Sequence, residues 1–265
     1  DLDSMQFFLQ LHTYQFTIYC IFACAAVVFI LLAFIDAPYG RQGINVSKWW
    51  GPGINVRLAW FLLELPMFVV FGLFFFSGSQ ALHAAPLILC FLWLLHYFHR
   101  VFIYPFRLRV KPDASYTTGL LVLGIVINSA TAYVNGHFVG ELGKHLQDIE
   151  WLQDPRFILG VLLFGSGFAL NKHSDAILRR LRSNDNTGYA IPRGGAYRWV
   201  SSPNYLGEII QWAGFALAAW SLPALAFLAL TFGNLLPRAI SNHRWYKENF
   251  ANYPISRKAV VPLIL

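Results

Sequence analysis

Charge is what this chain of 265 residues has least of: Asp, Glu, Lys and Arg together make up 12% of it, about half the usual share in a soluble domain. Hydrocarbon takes its place, with 57% hydrophobic residues, among them 24 Phe, 12 Tyr and 9 Trp. This puts an integral membrane protein ahead of any soluble class. Cysteine is scarce too. Cys20, Cys24 and Cys90 all lie in apolar runs, with no CxxC partner and no His at ligand spacing. They read as small buried residues, not as a disulfide or a metal site. The opening stretch "DLDSMQFF" is acidic, so no basic region of a cleavable signal peptide is seen. Neither GxGxxG after a strand nor GxxxxGK[ST] occurs. A Rossmann domain has no room among so few strand-like segments, and any dinucleotide must bind among helices. The net charge of +7 would point to nucleic acid in a soluble protein. Here the bases lie between apolar runs, which is a topology signal, and no nucleic acid is expected.

What is present is a series of apolar runs of about 20 residues, the length that crosses a bilayer. They fall at about 13–35, 56–76, 84–106, 117–136, 156–172, 204–220 and 222–240, which predicts an all-α polytopic membrane protein with seven transmembrane helices. The last two are joined by little more than "SLP", so a tight helical hairpin is expected there. With that count, all of the 20 Lys and Arg except Lys144 and Arg156 fall on one side. The other side carries Asp1, Asp3, Glu141, Asp148, Glu150 and Asp154. The positive-inside rule then places the N-terminus outside and the C-terminus in the cytoplasm. No internal repeat of the kind many transporters carry is evident. The longest polar segment, 172–203, contains "SDAILRRLR", read as a short amphipathic helix with Ser174 as N-cap.

Three polar groups interrupt the apolar pattern. Glu64 stands in "AWFLLELPMFVV", close to Pro66, so a kinked or re-entrant helix is expected. A carboxyl this deep in a span is more often functional than structural. In "LLHYFHRVFIY", His96 and Arg100 share one helical face, and Tyr97 and Tyr104 another. Either Tyr can act as a buried proton donor, and Tyr104 reads equally well as an interfacial aromatic. His96 and His99 have no third ligand, so no metal is expected. In "SSPNYLGEIIQW", Asn204 and Glu208 lie four apart at the mouth of an apolar helix, and Asn171, Asp175 and Arg182 follow at helical spacings. Arginines there could bind phosphates or simply touch lipid headgroups. The carboxylates and amides among them favour a nucleotide site.

These elements, in this order, resemble the steroid 5α-reductase family, across roughly 55–265. The resemblance is carried by "AWFLLELP", "HYFHRVFIYP", "NKHSDAILRRLR", "GYAIPRGGAYRWVSSPNYLGEIIQW", "WSLPALAF" and "HRWYKENFANYPISRKAVVPLIL". It implies a single seven-helix reductase domain that uses NADPH to reduce the 4,5 double bond of a lipophilic 3-oxo-4-ene steroid. The substrate pocket would come mainly from 13–110 and the NADPH site mainly from 171–258. Glu64 and Tyr97 match the family's catalytic pair, with Tyr97 as proton donor to the 3-keto group and a neutral Glu64 sharing the hydrogen bond. Trp60 and Leu63 would join them against the substrate. The NADPH residues carry over to Asn171, Asp175, Arg182, Tyr189, Asn204, Glu208, Arg238 and Tyr246, with Arg100, Lys111 and Asn242 as further candidates. A monomer in a bacterial plasma membrane or an endoplasmic reticulum is implied, with the cofactor site facing the cytoplasm; the chain is read as a bacterial-type member.

The chain also departs from the mammalian-type pattern. Leu63 stands where a Gln precedes the catalytic Glu, Ala190 replaces the Arg of "YRIP", and Asn242 replaces a His of the run before "RFY". Two enzyme classes compete: membrane enoyl-CoA or polyprenol reductases, and isoprenylcysteine-type methyltransferases, which share a Pro-x-Tyr-x-Gly element. Glu64 with Tyr97, and "YAIPRGG", argue against the methyltransferase.

Overall fold

The computed structural model describes residues 2–35, 50–109, 114–181 and 190–264, with side chains from residue 11 onward in the first stretch. Helices dominate: α1 (Leu2–Phe34), α2 (Val56–Phe76), α3 (Ala84–Phe98), the short α4 (Tyr104–Arg107), α5 (Thr118–His137), α6 (Pro155–Leu181), α7 (Pro203–Ala219) and α8 (Leu222–Asn249). One exception to the all-α expectation is a small antiparallel ladder. It pairs β1 (Gly53–Asn55) with β2 (Ser115–Thr117), Ile54 opposite Tyr116, and ties the entry of α2 to the entry of α5.

Five helical stretches among the described residues are long and apolar enough to cross a membrane: Leu11–Phe34, Val56–Phe76, Ala84–Arg107, Thr118–Leu142 and Leu222–Asn249. They fall on five of the seven expected runs. The other two fall short for different reasons. α7 has only 17 residues. α6 is long, but its apolar part runs without a break into "NKHSDAILRRL", which lowers its mean hydropathy. The separate helix expected from Ser174 is therefore not there. Ser174 is buried inside α6, and its hydroxyl donates to the Leu170 carbonyl at 2.7 Å, four residues back, so it caps nothing. Pro66 is likewise interior to α2, which continues through it.

The most extensive helix contact joins α6 and α7. Its cause is a seam of glycines at seven-residue spacing on both helices, Gly160 and Gly167 against Gly214 and Gly207. A Cβ on Gly207 would lie 2.6 Å from the Asn171 amide nitrogen and 2.7 Å from the Gly167 carbonyl oxygen. Nothing larger than hydrogen fits, so the backbones touch as they do in glycine-packed membrane helices. The α7–α8 hairpin is as tight as expected: Trp220 closes α7 with φ 44° and Ser221 caps α8 through the Ala224 amide. Trp220 also helps to pin the start of α6. The Arg156 guanidinium lies 4.6 Å from the Trp151 ring and 4.7 Å from the Trp220 ring. It grips Asp154 through Nε and Nη2 at 2.9 and 2.7 Å, and that hydrogen bonding holds the Asp154 carboxyl at about 2.

An aromatic core lies beside this seam. Trp93 of α3 sits between Phe71 of α2, at 4.5 Å, and Trp212 of α7, at 5.2 Å. Its indole N–H donates to the Met67 carbonyl at 2.7 Å, so even the one polar atom of this ring is satisfied in the core. α1 packs chiefly on α8, where Tyr14 reaches across to donate to the Val134 carbonyl of α5 at 3.0 Å.

The seam yields a stability prediction. Gly207→Val should force α6 and α7 apart and destabilise the protein by about 1–3 kcal/mol or more. Thermal unfolding in detergent should show a clearly lower midpoint, whereas Gly72→Val, where a Cβ meets nothing within 4 Å, should leave it nearly unchanged. Equal midpoints for the two would remove the seam from the account.

Candidate active site

The site begins with an ion pair. Glu64 of α2 is buried, 6% exposed. Arg100 donates twice to its Oε1, from Nη2 at 2.5 Å and from Nε at 3.1 Å. Arg100 lies in a π-turn, His99–Ile103, that joins α3 to α4. The turn changes the register predicted from ideal helical spacing. It brings the guanidinium within 5.1 Å of the Tyr104 ring and 4.9 Å of the Trp60 ring, and these two rings meet edge-on at 5.5 Å. Trp60 and Tyr104 thus flank the ion pair. Two guanidinium donors on Oε1 make this oxygen the acceptor of the pair. Together the two charges cancel, which is what permits them in an apolar span.

Tyr97 is buried one turn before Arg100. It is held by rings on three sides: Trp93 at 5.2 Å, His96 at 4.9 Å and Trp212 at 5.7 Å, the last nearly parallel. It lies within electrostatic reach of Glu64, Glu208 and Arg100. Behind it, His96 and Gln211 are both buried, and the Gln211 amide nitrogen lies 2.7 Å from His96 Nδ1. Gln211 Oε1 has no hydrogen-bond partner among the described residues.

The α6–α7 seam supplies the other half. Asn171, one turn beyond Gly167, donates to the Asn204 carbonyl at 3.0 Å. The Asn204 amide in turn donates to Asp175 Oδ1 at 3.3 Å. Asp175, Glu208, Arg100 and Lys172 all lie within electrostatic reach of one another across the π-turn, α6 and α7. Lys172 Nζ is also 3.0 Å from His99 Nδ1. The predicted residues Glu64, Tyr97, Arg100, Asn171, Asp175, Asn204 and Glu208 therefore converge, and Trp60 borders them. Leu63 is on the same helix, its carbonyl accepting from Asn128 at 2.7 Å.

Three α8 residues stand in a neighbouring group. Arg238 lies 5.2 Å over the Tyr205 ring, next to Asn204. Tyr246 stacks on Tyr253 at 5.4 Å. Asn242 adjoins His243, whose Nδ1 is 2.6 Å from the Ser201 hydroxyl; that hydroxyl also meets the Tyr253 hydroxyl at 2.5 Å. Backbone bonds from Ser201 and Ser202 to the Lys258 and Ala259 carbonyls fasten the C-terminal segment to the entrance of α7. Arg182, Tyr189 and Lys111 lie outside the described residues.

Lys172, His96, Gln211 and Trp212 were not among the expected site residues. Lys172 adjoins Asn171 in sequence, so its position was within reach of the motif. The His96–Gln211 contact joins residues far apart in the chain and leaves no local signal. The donor set suits a pyridine dinucleotide: the buried amides of Asn171 and Gln211, the half-buried Asn204, Asp175 and Glu208, cations beside them, and in Gln211 an orphaned acceptor of the kind a ligand amide satisfies. Among the described residues, no group of three or more His, Cys, Asp or Glu is placed to hold a metal ion.

Comparison with known proteins places this geometry in a family. Residues 118–265 match the family described as 3-oxo-5-alpha-steroid 4-dehydrogenase. A steroid 5-alpha-reductase of Solanum lycopersicum is 37% identical over 253 residues, 95% of this chain and 96% of the relative. The 3-oxo-5-alpha-steroid 4-dehydrogenase 1 of Bos taurus is 36% identical over 92% of this chain and 93% of its own length. The corresponding enzyme 2 of Homo sapiens is 42% identical over 80% and 82%.

If Glu64 is ionised, removing its partner strands a buried charge. Arg100→Met should then destabilise the protein by about 3–5 kcal/mol, and adding Glu64→Gln should recover a large part of the loss. Thermal unfolding of the two single variants and the double variant measures this. Additive losses would show that Glu64 carries no charge for Arg100 to balance.

Proposed function

This chain belongs to the 3-oxo-5-alpha-steroid 4-dehydrogenase family, a family of oxidoreductases, and on that premise we propose that it reduces the 4,5 double bond of a 3-oxo-4-ene steroid with NADPH. The observation that carries this reading is the convergence of Glu64, Tyr97 and Arg100 in a buried aromatic setting, next to the polar end of the α6–α7 seam. A flat, apolar substrate with one ketone fits such a place: rings for the rings, hydrogen-bond donors for the one oxygen.

When bound, NADPH supplies the hydride that adds to C5. The chain's own residues manage the consequence, which is negative charge developing on the ketone oxygen. Tyr97 is the proton donor to that oxygen, and the enol then returns to the ketone as C4 takes a proton from water and the enol O–H gives its proton back to Tyr97. The Tyr97 ring is fixed by Trp93, His96 and Trp212, so its hydroxyl is aimed before the charge appears. Glu64 shares the hydrogen bond when it holds a proton, which requires Arg100 to turn away from it. Arg100 has a second acid within reach for that purpose, Glu208 of α7. Asn171, Asp175, Asn204 and Glu208 hold the cofactor's polar groups, with Arg238, Asn242 and Tyr246 of α8 and the loop residues Arg182, Tyr189 and Lys111 completing its site.

In this reading α6 and α7 complete a bundle of seven spans. The apolar part of α6 and all of α7 cross together as a glycine-packed pair, and the polar end of their seam faces the cytoplasm. The strong asymmetry of Lys and Arg supports that orientation.

The decisive assay is NADPH consumption by purified protein in detergent with testosterone or progesterone, with product mass. A gain of two hydrogens by the steroid upholds the proposal. NADPH binding without steroid turnover moves the substrate to another enone or enoyl lipid, and absence of NADPH binding defeats the reductase reading altogether. Glu64→Gln and Tyr97→Phe should each lower kcat about 100-fold or more while leaving the Kd for NADPH within about twofold. Asn204→Ala and Glu208→Ala should do the reverse, weakening NADPH about tenfold for the loss of one hydrogen bond. Full turnover in either member of the first pair, or unchanged cofactor affinity in both members of the second, would overturn the assigned roles.

A further inference from the structure

One buried polar pair has no part in the mechanism above. His96 of α3 is 1% exposed and Gln211 of α7 is 0% exposed. The Gln211 side-chain nitrogen lies 2.7 Å from His96 Nδ1. With that N–H facing it, Nδ1 is the acceptor, so the ring is uncharged and carries its proton on Nε2. Half a turn of the Gln211 amide would offer Oε1 to an Nδ1–H instead, and one hydrogen bond would still join the two side chains. The tie is therefore the same whichever way the amide points. It is also costly. Both groups leave water for an aromatic core, and Gln211 Oε1 has no hydrogen-bond partner among the described residues. Apolar side chains of similar volume would fill the space without that cost, so the pair needs another reason to be there.

The reason lies in what the bond connects. His96 directly precedes Tyr97, and its ring meets the Tyr97 and Trp212 rings edge-on, each at 4.9 Å. Gln211 directly precedes Trp212, which lies nearly parallel to Tyr97 at 5.7 Å. The four residues form a closed loop. His96 and Gln211 are joined by the hydrogen bond, Tyr97 and Trp212 by their stacked rings, and each pair to the other by one step along its helix. Gln211 also follows Glu208 by three residues, so both lie toward one face of α7. The bond thus fastens the turn of α3 that carries the proton donor to the turn of α7 that carries a cofactor residue. We propose that His96 and Gln211 are positioning residues for the reduction: their hydrogen bond sets the Tyr97 hydroxyl in register with the cofactor on α7.

This rests on the reductase reading. Hydride reaches C5 and the proton reaches the 3-oxygen of one rigid substrate, so the two helices that bring them must keep a fixed spacing. A misplacement of about 1 Å costs about 100-fold in rate. Packed rings alone can slide, whereas a hydrogen bond fixes both distance and direction. Gln211 Oε1 also has the chemistry to receive a ligand amide, and the experiment separates that role from positioning.

The test compares kcat, the steroid KM and the NADPH Kd of purified variants with those of the wild type. His96→Phe keeps a ring and removes the acceptor. His96→Asn gives up the ring but keeps an acceptor near the place of Nδ1. His96→Phe and Gln211→Met should each lower kcat about tenfold or more, with KM and Kd within about twofold, and His96→Asn should recover part of the loss. The double variant His96→Phe/Gln211→Met should cost no more than either single one, because the same bond is lost in all three. With 4-deuterated NADPH the isotope effect on kcat should rise in these variants, whereas a loss of folded protein alone leaves it at the wild-type value. Wild-type kcat in His96→Phe, a deeper loss in His96→Asn than in His96→Phe, or losses that multiply in the double variant each overturns the proposal. So does Gln211→Met with unchanged kcat and NADPH bound about tenfold more weakly, because Gln211 then holds the cofactor directly. If the His96 variants do not fold, Gln211→Glu decides, since its carboxylate accepts from an Nδ1–H and re-forms the tie. A higher kcat for Gln211→Glu than for Gln211→Met upholds positioning, and equal values overturn it. Absence of wild-type turnover defeats the reductase reading and this proposal with it; wild-type turnover with unresponsive variants defeats this proposal alone.

Discussion

A carboxylate among apolar helices has to be neutralised, and the Glu64–Arg100 pair is where this molecule meets that demand. The consequences spread through the fold. The acid is on α2 and the base follows α3, so the pair fixes these two helices against one another at a set depth. The guanidinium reaches Oε1 from a π-turn that carries an extra residue. π-turns in otherwise α-helical stretches are rare and cluster at functional positions. Here it turns Arg100 under Tyr104 and beside Trp60, so that both rings flank the guanidinium.

A second constraint is steric. Glycines at the α6–α7 seam let two backbones approach until the Asn171 side chain reaches the Asn204 carbonyl. Polar side chains at the end of a loosely packed helix pair would be hydrated and mobile. At the end of this seam they are locked into a chain of hydrogen bonds, Asn171 to Asn204 to Asp175. The seam and the ion pair share one neighbour, the Trp93–Trp212 core, which is continuous with Tyr97 on one side and Phe164 of α6 on the other. The rigid aromatic centre therefore sets the distance between the acid–base groups and the amide cluster.

Much of this was legible in the chain before folding. A run of 20 apolar residues has few alternatives to a membrane helix, so five spans match their expected places. Glu64, Tyr97, Asn204 and Glu208 stand out because polar residues in apolar helices are conspicuous. What could not be seen depends on contacts distant in sequence or on small changes of helical register. The His96–Gln211 contact spans 115 residues. The π-turn has no sequence mark, and it shifted the faces assigned by ideal spacing. The extension of α6 through Ser174 was missed because a Ser before an amphipathic stretch looks like a cap, whereas the packed seam carries the helix past it. Arg100 was named as a further cofactor candidate, and the structure shows it paired with the catalytic acid candidate Glu64.

That last difference bears on how the two halves of the site communicate. Arg100 interacts electrostatically with Glu64 on α2 and with Glu208 on α7. One guanidinium cannot neutralise both equally. Paired with Glu64, it leaves Glu208 to Lys172 and to any donor that arrives on the α7 side. Drawn toward Glu208, it leaves Glu64 buried without a counter-charge, and a buried carboxylate in that position takes up a proton. A protonated Glu64 is a hydrogen-bond donor, whereas an ionised one can only accept. In the proposed mechanism, the side of the site where Arg100 rests selects between an acceptor and a donor beside Tyr97. A ligand that favours one position of Arg100 must, by linkage, bind better when the other half of the site is arranged to match.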